Sequence, residues 1–170
     1  METALVAFGS ALLGVIGGFG GALYLEGRRI HRRRVGYVRA LASELRQNVL
    51  TAVLTREVGK VVGSDFSSDT WTTVRYDIGQ FAGPDLFEAL NTSYMTLHGI
   101  RRIGGELGRG RPLDDEVSHA ISVWEEGARK ALNQLAGTKE AREVGVAEMH
   151  RGEQVPTAER YVRTTLAKDD

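Results

Sequence analysis

TALVAFGSALLGVIGGFGGALYL, residues 3–25, holds 23 residues without one charged side chain. As a helix rising ~1.5 Å per residue it would be about 34 Å long, enough for a hydrocarbon core of ~30 Å. Its glycines would weaken a helix in water but are tolerated in membrane helices. A cleaved signal peptide fits poorly. The start, Met1-Glu2-Thr3, lacks Lys and Arg, and the apolar stretch runs straight into Glu26-Gly27-Arg28-Arg29. The stretch therefore reads as a retained, single-pass transmembrane helix.

Charge sets the expected orientation. Arg28, Arg29, Arg32, Arg33 and Arg34 follow the span, with His31 among them, whereas only Glu2 precedes it. The positive-inside rule then places the N-terminus outside and the C-terminal part in the cytoplasm, with the span in the inner membrane of the cell. The arginines serve as a topology signal and as contacts to lipid headgroups. Within the span Ser10, Gly14, Gly18 and Ala22 recur every fourth residue, and Gly17 and Gly21 lie beside them. Small residues at this spacing form one helix face on which a second helix can pack closely, as in GxxxG association, so a homo-oligomer or a membrane partner is expected. No Asp, Glu, Lys, Arg or His lies inside the span, so it offers no proton relay.

Beyond the basic segment, residues 26–34, the pattern is helical. Val38, Leu41, Ala42, Leu45, Val49 and Val53 recur at three- and four-residue steps, with Arg39, Glu44, Arg46 and Gln47 assigned to other faces and an end at Val61-Val62-Gly63-Ser64. Ser68 or Asp69 can cap a second helix carrying Trp71, Val74, Ile78 and Phe81. Gly83-Pro84-Asp85 is a stop followed by a start. The next helix carries Leu86 or Phe87, Leu90, Tyr94, Leu97 and Ile100 and runs out at Gly104-Gly105. After a glycine-rich loop, acids at Asp114, Asp115 and Glu116 open a last helix with Val117, Ile121, Trp124, Ala128, Leu132 and Leu135, ended by Gly137. The expected fold class is all-α: the membrane helix, a cytoplasmic bundle of about four helices over residues 35–136, and a polar tail, residues 137–170, partly disordered or helical. Tyr161, Val162 and Leu166 are the tail's candidate docking residues.

Composition excludes several functions. Lys and Arg number 22 and so do Asp and Glu, so the chain is not a nucleic-acid-binding polyelectrolyte, and no nucleic acid is expected. Without cysteine there is no disulfide scaffold, thiol nucleophile or Cys-type zinc site. His31, His98, His119 and His150 share no ligand spacing. Gly59-Lys60 is followed by Val61 rather than Ser or Thr, and no strand precedes Gly104-Gly105, so neither is a nucleotide loop. Trp71, Trp124, Tyr94 and Phe81 read as core. No catalytic, cofactor-binding or metal-binding residues are expected.

Leu41-Ala42-Ser43-Glu44-Leu45-Arg46-Gln47-Asn48, then Trp71 and Tyr94, follow the membrane helix and its arginines in a set order. In this order the chain resembles a loose group of uncharacterised bacterial and phage-encoded membrane-anchored helical proteins with an "LxxELxxN" helix. The resemblance covers residues 5–97 and implies no activity. Asn48 would sit among apolar positions facing other helices, where it either sets the bundle's register by a buried hydrogen bond or is merely exposed. The expected function is a membrane-anchored helical scaffold or interaction protein, self-associating and without enzymatic activity. The alternative is a holin- or toxin-like effector whose glycine-striped helices assemble into a lesion.

Overall fold

The computed structural model describes residues 2–60, 66–107 and 110–143, with side chains for 18–60, 66–103 and 110–143. Its helices are α1 (Glu2–Val58), α2 (Asp69–Phe81), α3 (Pro84–Leu107), α4 (Asp115–Ala136) and α5 (Lys139–Glu143). Among the described residues there is no strand, only an isolated bridge between Lys60 and Pro112. The fold is all-α and includes a helical bundle. Two compact units divide the chain, Met1–Gly36 and Tyr37–Asp170.

In the first unit Phe19, Leu23, Tyr24 and Leu25 are exposed. Among the described residues no helix is long and apolar enough to cross a membrane. Most of the stretch read as a span, residues 3–17, lies outside the described side chains.

The second unit has one core, to which α1 to α4 each contribute the apolar face anticipated from their spacing. α1 buries Val38, Leu41, Leu45 and Ala52, α2 Trp71, Val74 and Ile78, α3 Leu90, Tyr94 and Leu97, and α4 Ile121, Trp124, Leu132 and Leu135. Burying each large apolar side chain is worth roughly 1.5–3 kcal/mol. Aromatic pairs tie the elements together. Trp71 stacks on Tyr94 with centroids 5.2 Å apart and planes 2° from parallel. Phe66 meets Trp124 edge-on at 5.6 Å. The Trp124 indole N–H donates to the Ser93 carbonyl at 2.8 Å, joining α4 to α3.

Three boundaries differ from the sequence reading. α1 ends at Val58, ahead of Val61-Val62-Gly63-Ser64, because Gly59 turns left-handed (φ +64°) and its N–H closes on the Arg56 carbonyl. α3 continues through Gly104-Gly105 to Leu107; each interior glycine costs only about 1 kcal/mol relative to alanine, which a long packed helix absorbs. α4 ends at Gly137 as its sequence implies, with that glycine in a right-handed conformation. The bundle does not end at Ala136: the Thr138 hydroxyl accepts the Ala141 N–H and starts α5, whose Ala141 is fully buried. The proposed docking residues Tyr161, Val162 and Leu166 lie outside the described residues.

Two glycines with equally open surroundings should respond oppositely to alanine. A Cβ at Gly59 or at Gly127 would meet nothing within 4 Å. Gly127 is an exposed interior position of α4, so Gly127→Ala should stabilise the bundle by about 0.5–1 kcal/mol. Gly59→Ala forces a side chain into left-handed backbone and should destabilise it by about 1 kcal/mol. Thermal unfolding followed by the fluorescence of Trp71 and Trp124, both in the core, reads the two shifts.

Candidate functional site

The densest polar cluster of the bundle lies where α1 meets the start of α2. Every helix start leaves its first N–H groups without partners. Ser68 holds the cap position of α2, yet its side chain makes no capping bond. Glu44, from the middle of α1, takes over that task. Its Oε2 accepts the Thr70 N–H at 2.8 Å and its Oε1 the Trp71 N–H at 3.3 Å. These are the second and third residues of α2, the two donors a good cap residue would satisfy. The Asp69 N–H reaches the Ser67 hydroxyl at 3.3 Å, and that hydroxyl donates to Glu44 Oε2 at 2.9 Å. The Tyr94 hydroxyl of α3 donates to Glu44 Oε1 at 2.8 Å.

Asn48 lies one turn further along α1 and is fully buried. Its amide nitrogen donates to the Ser67 carbonyl at 2.7 Å, and its carbonyl accepts the Ser67 N–H at 2.8 Å. The side-chain amide thus pairs with a peptide unit as a neighbouring strand would. Arg101 of α3 donates to the Ser68 hydroxyl at 3.2 Å. The connection into α2 is therefore held by hydrogen bonds from two other helices.

The electrostatics follow from this crowding. Burial pushes the Glu44 carboxyl up, but the Thr70 backbone bond and the Tyr94 and Ser67 hydroxyls outweigh it and hold the group below the ordinary value of 4.5. The negative charge also faces the positive end of α2. The Tyr94 hydroxyl is pushed up, first by burial, then by the Glu44 charge and hydrogen bond. Each Glu44 oxygen accepts two bonds, so no lone pair remains for a metal ion or for a substrate's proton.

A second polar cluster joins α1 to α4. Buried Glu125 accepts Arg56 Nη1 on one oxygen at 2.9 Å, and Arg129 on the other, Nη2 at 2.8 Å and Nε at 2.9 Å. Neither arginine is deeply buried.

The residues singled out in the sequence fall into three groups. Ser10, Gly14 and Gly17 lie outside the described side chains. Gly18, Gly21 and Ala22 are exposed, and a Cβ at Gly18 or Gly21 would meet nothing within 4 Å. Arg28, Arg29, Arg32 and Arg33 are exposed and Arg34 is half-buried. His98 and His119 are exposed, and His150 is outside the described residues. Among the described residues no three His, Cys, Asp or Glu side chains form a metal-binding group. Trp71, Trp124 and Tyr94 are core, with Phe81 packed against it.

The assignment of Glu44 to an outer face is corrected: it is buried with the core. Its place between Leu41, Leu45 and Asn48, on the apolar spacing of α1, is the signal that could have revealed it. Four of the residues quoted for the resemblance, Glu44, Asn48, Trp71 and Tyr94, converge in this one cluster. No protein family, curated protein or solved structure matches this chain.

Glu44→Gln keeps the shape but removes the charge and supplies a donor where only acceptors fit. It should lower stability at neutral pH by about 1.5–3 kcal/mol, the range for hydrogen bonds to a charged group. The pH dependence has a defined sign. A carboxyl held below 4.5 in the folded state stabilises the fold above that value, and this contribution is lost as pH falls through the folded-state value. The difference in stability between wild type and Glu44→Gln, measured by denaturant titration, should therefore shrink as pH falls below 4.5. Tyr94→Phe removes one donor of four and should cost less, about 1 kcal/mol.

Proposed function

We propose that the chain is a single-pass membrane-anchored helical scaffold, self-associating and without enzymatic activity, with its N-terminus outside and its bundle in the cytoplasm. The observation that carries the reading is the uncharged stretch of residues 3–25 running into Arg28, Arg29, Arg32, Arg33 and Arg34. Exposure at the end of that stretch supports it. Phe19, Leu23, Tyr24 and Leu25 are each at least 60% exposed on a helix that runs on into the arginines. Contiguous large apolar side chains at this exposure call for a covering of lipid or of another helix. Tyr24 suits the edge of the bilayer, where amphipathic rings concentrate.

The absence of chemistry is supported from the other side. The best-built polar cluster, around Glu44, has its acceptors filled by the protein's own donors, and Glu125 is occupied by two arginines. Such groups hold helices together; they do not present reactive atoms. Self-association rests on the four-residue spacing of Ser10, Gly14, Gly18 and Ala22.

The full chain should stay with membranes through an alkaline carbonate wash; recovery in the supernatant would refute the anchor. With no native cysteine to interfere, a cysteine at Thr3 should react with an impermeant thiol reagent in intact cells, and one at Arg111 should not. Gly14→Leu with Gly18→Leu should abolish association of the span in a membrane-based assay, whereas Leu12→Ala with Val15→Ala should leave it intact. Rapid depolarisation on expression would favour the lesion-forming alternative.

A further inference from the structure

Three arginines of the bundle have dedicated partners: Arg56 and Arg129 on Glu125, Arg101 on Ser68. Arg28, Arg29, Arg32 and Arg33 are placed differently. All four are exposed. Arg29 has only a long contact to Glu26, 3.9 Å between side chains 76% and 58% exposed. Arg32 and Arg33 have no acidic partner among the described residues. Arg28 lies over the Tyr24 ring, its guanidinium carbon 5.8 Å from the centroid.

Their spacing is regular. Arg28 and Arg32, and Arg29 and Arg33, are i,i+4 pairs on adjacent rows of one helix, so each pair stands about 6 Å apart along the axis. At ~1.5 Å per residue, Arg28 to Arg33 stand roughly 4–12 Å beyond Leu25. Where Leu25 ends the apolar layer, the backbone of Arg28 and Arg29 stands within the headgroup region, about 5–8 Å deep on each side of the hydrocarbon core. The backbone of Arg32 and Arg33 stands just beyond it, and helical side chains incline toward the N-terminus, here back toward the phosphates. Guanidinium groups bind phosphate oxygens in a bidentate fork and, unlike a point charge, match their geometry.

We infer that Arg28, Arg29, Arg32 and Arg33 form a binding collar for the phosphates of anionic phospholipids. The inference rests on the membrane reading above. Among the described residues the collar's charge is offset only by Glu26, so it selects anionic over zwitterionic headgroups, whose own ammonium would stand among the arginines. The Tyr24 ring lies under the Arg28 guanidinium at the edge of that layer.

The full chain, purified from mixed micelles of phosphatidylglycerol and phosphatidylcholine, carries lipid whose ratio can be measured against the bulk. The wild-type chain should enrich phosphatidylglycerol about tenfold or more, as expected when several basic side chains near the surface each contribute. The variant Arg28→Gln, Arg29→Gln, Arg32→Gln, Arg33→Gln should lose the enrichment but still copurify with lipid. A control with Arg75→Gln, Arg102→Gln and Arg111→Gln, exposed arginines of the bundle, should keep it. Enrichment retained in the collar variant, or absent from the wild type, overturns the inference while leaving the anchor standing. Copurification of neither lipid overturns the anchor and the collar with it. Displacement of phosphatidylglycerol by millimolar inorganic phosphate would assign the site to a free anion instead, and tighter binding of a labelled oligonucleotide would assign it to nucleic acid.

Discussion

The bundle is organised around one buried carboxylate. An ionised group away from water is tolerated only when its hydrogen bonds are made by the protein. Glu44 meets that condition with two backbone N–H groups of α2, the Ser67 hydroxyl and the Tyr94 hydroxyl of α3. The same bonds satisfy donors that would otherwise be stranded at the start of α2. Neither side is complete without the other. Asn48 adds a second fixed point one turn away. A slide of this part of α1 by one turn would leave the Thr70 and Trp71 amides bare and the charge uncompensated. The apolar contacts alone would tolerate such a slip better, because Leu41, Leu45 and Val49 recur along the same face. Hydrophobic burial holds the helices together, and the polar cluster selects their register.

The apolar pattern was legible from residue order. Val38, Leu41, Leu45, Val74, Ile78, Leu90, Leu97, Ile121, Trp124 and Leu135 are core as their spacing implies, because burial of one helix stripe is a property of that helix alone. The start of α4 was legible from the acids Asp114, Asp115 and Glu116, of which Asp114 is the cap: its carboxylate accepts the Val117 N–H at 2.7 Å. Glu44 was not. A glutamate in a helix is ordinarily a solvated residue, and its acceptor role depends on donors 26 and 50 positions away. Ser68 looked like the cap of α2 because capping is read from neighbours, whereas here another helix performs it. Helix ends were misplaced for a related reason. A glycine is compatible with interior helix, as at Gly104-Gly105, and with a left-handed stop, as at Gly59; packing chooses between them.

Polar chemistry in the two units runs in opposite senses. In the bundle Glu44, Asn48, Glu125 and Arg101 turn their hydrogen-bonding capacity inward. In the amino-terminal unit the large apolar groups and the arginines are both turned outward, in successive bands along one helix. Under the proposed membrane-anchored function, these bands would face the apolar layer and the headgroups in turn.

The capping of α2 by a distant side chain bears on how the chain acquires its structure. α2 has 13 residues, a length at which an isolated helix is marginal in water. Its first turn lacks a local acceptor from Ser68, so it gains little until α1 docks. The Tyr94 hydroxyl, 50 residues downstream of Glu44, completes the carboxylate's shell. A nascent chain that ends before α3 therefore has a carboxylate still partly hydrated and a second helix without its anchor. Closure of the cluster joins three helices at once, and its long-range bonds carry a loop-closure cost that the local hydrogen bonds of α1 do not.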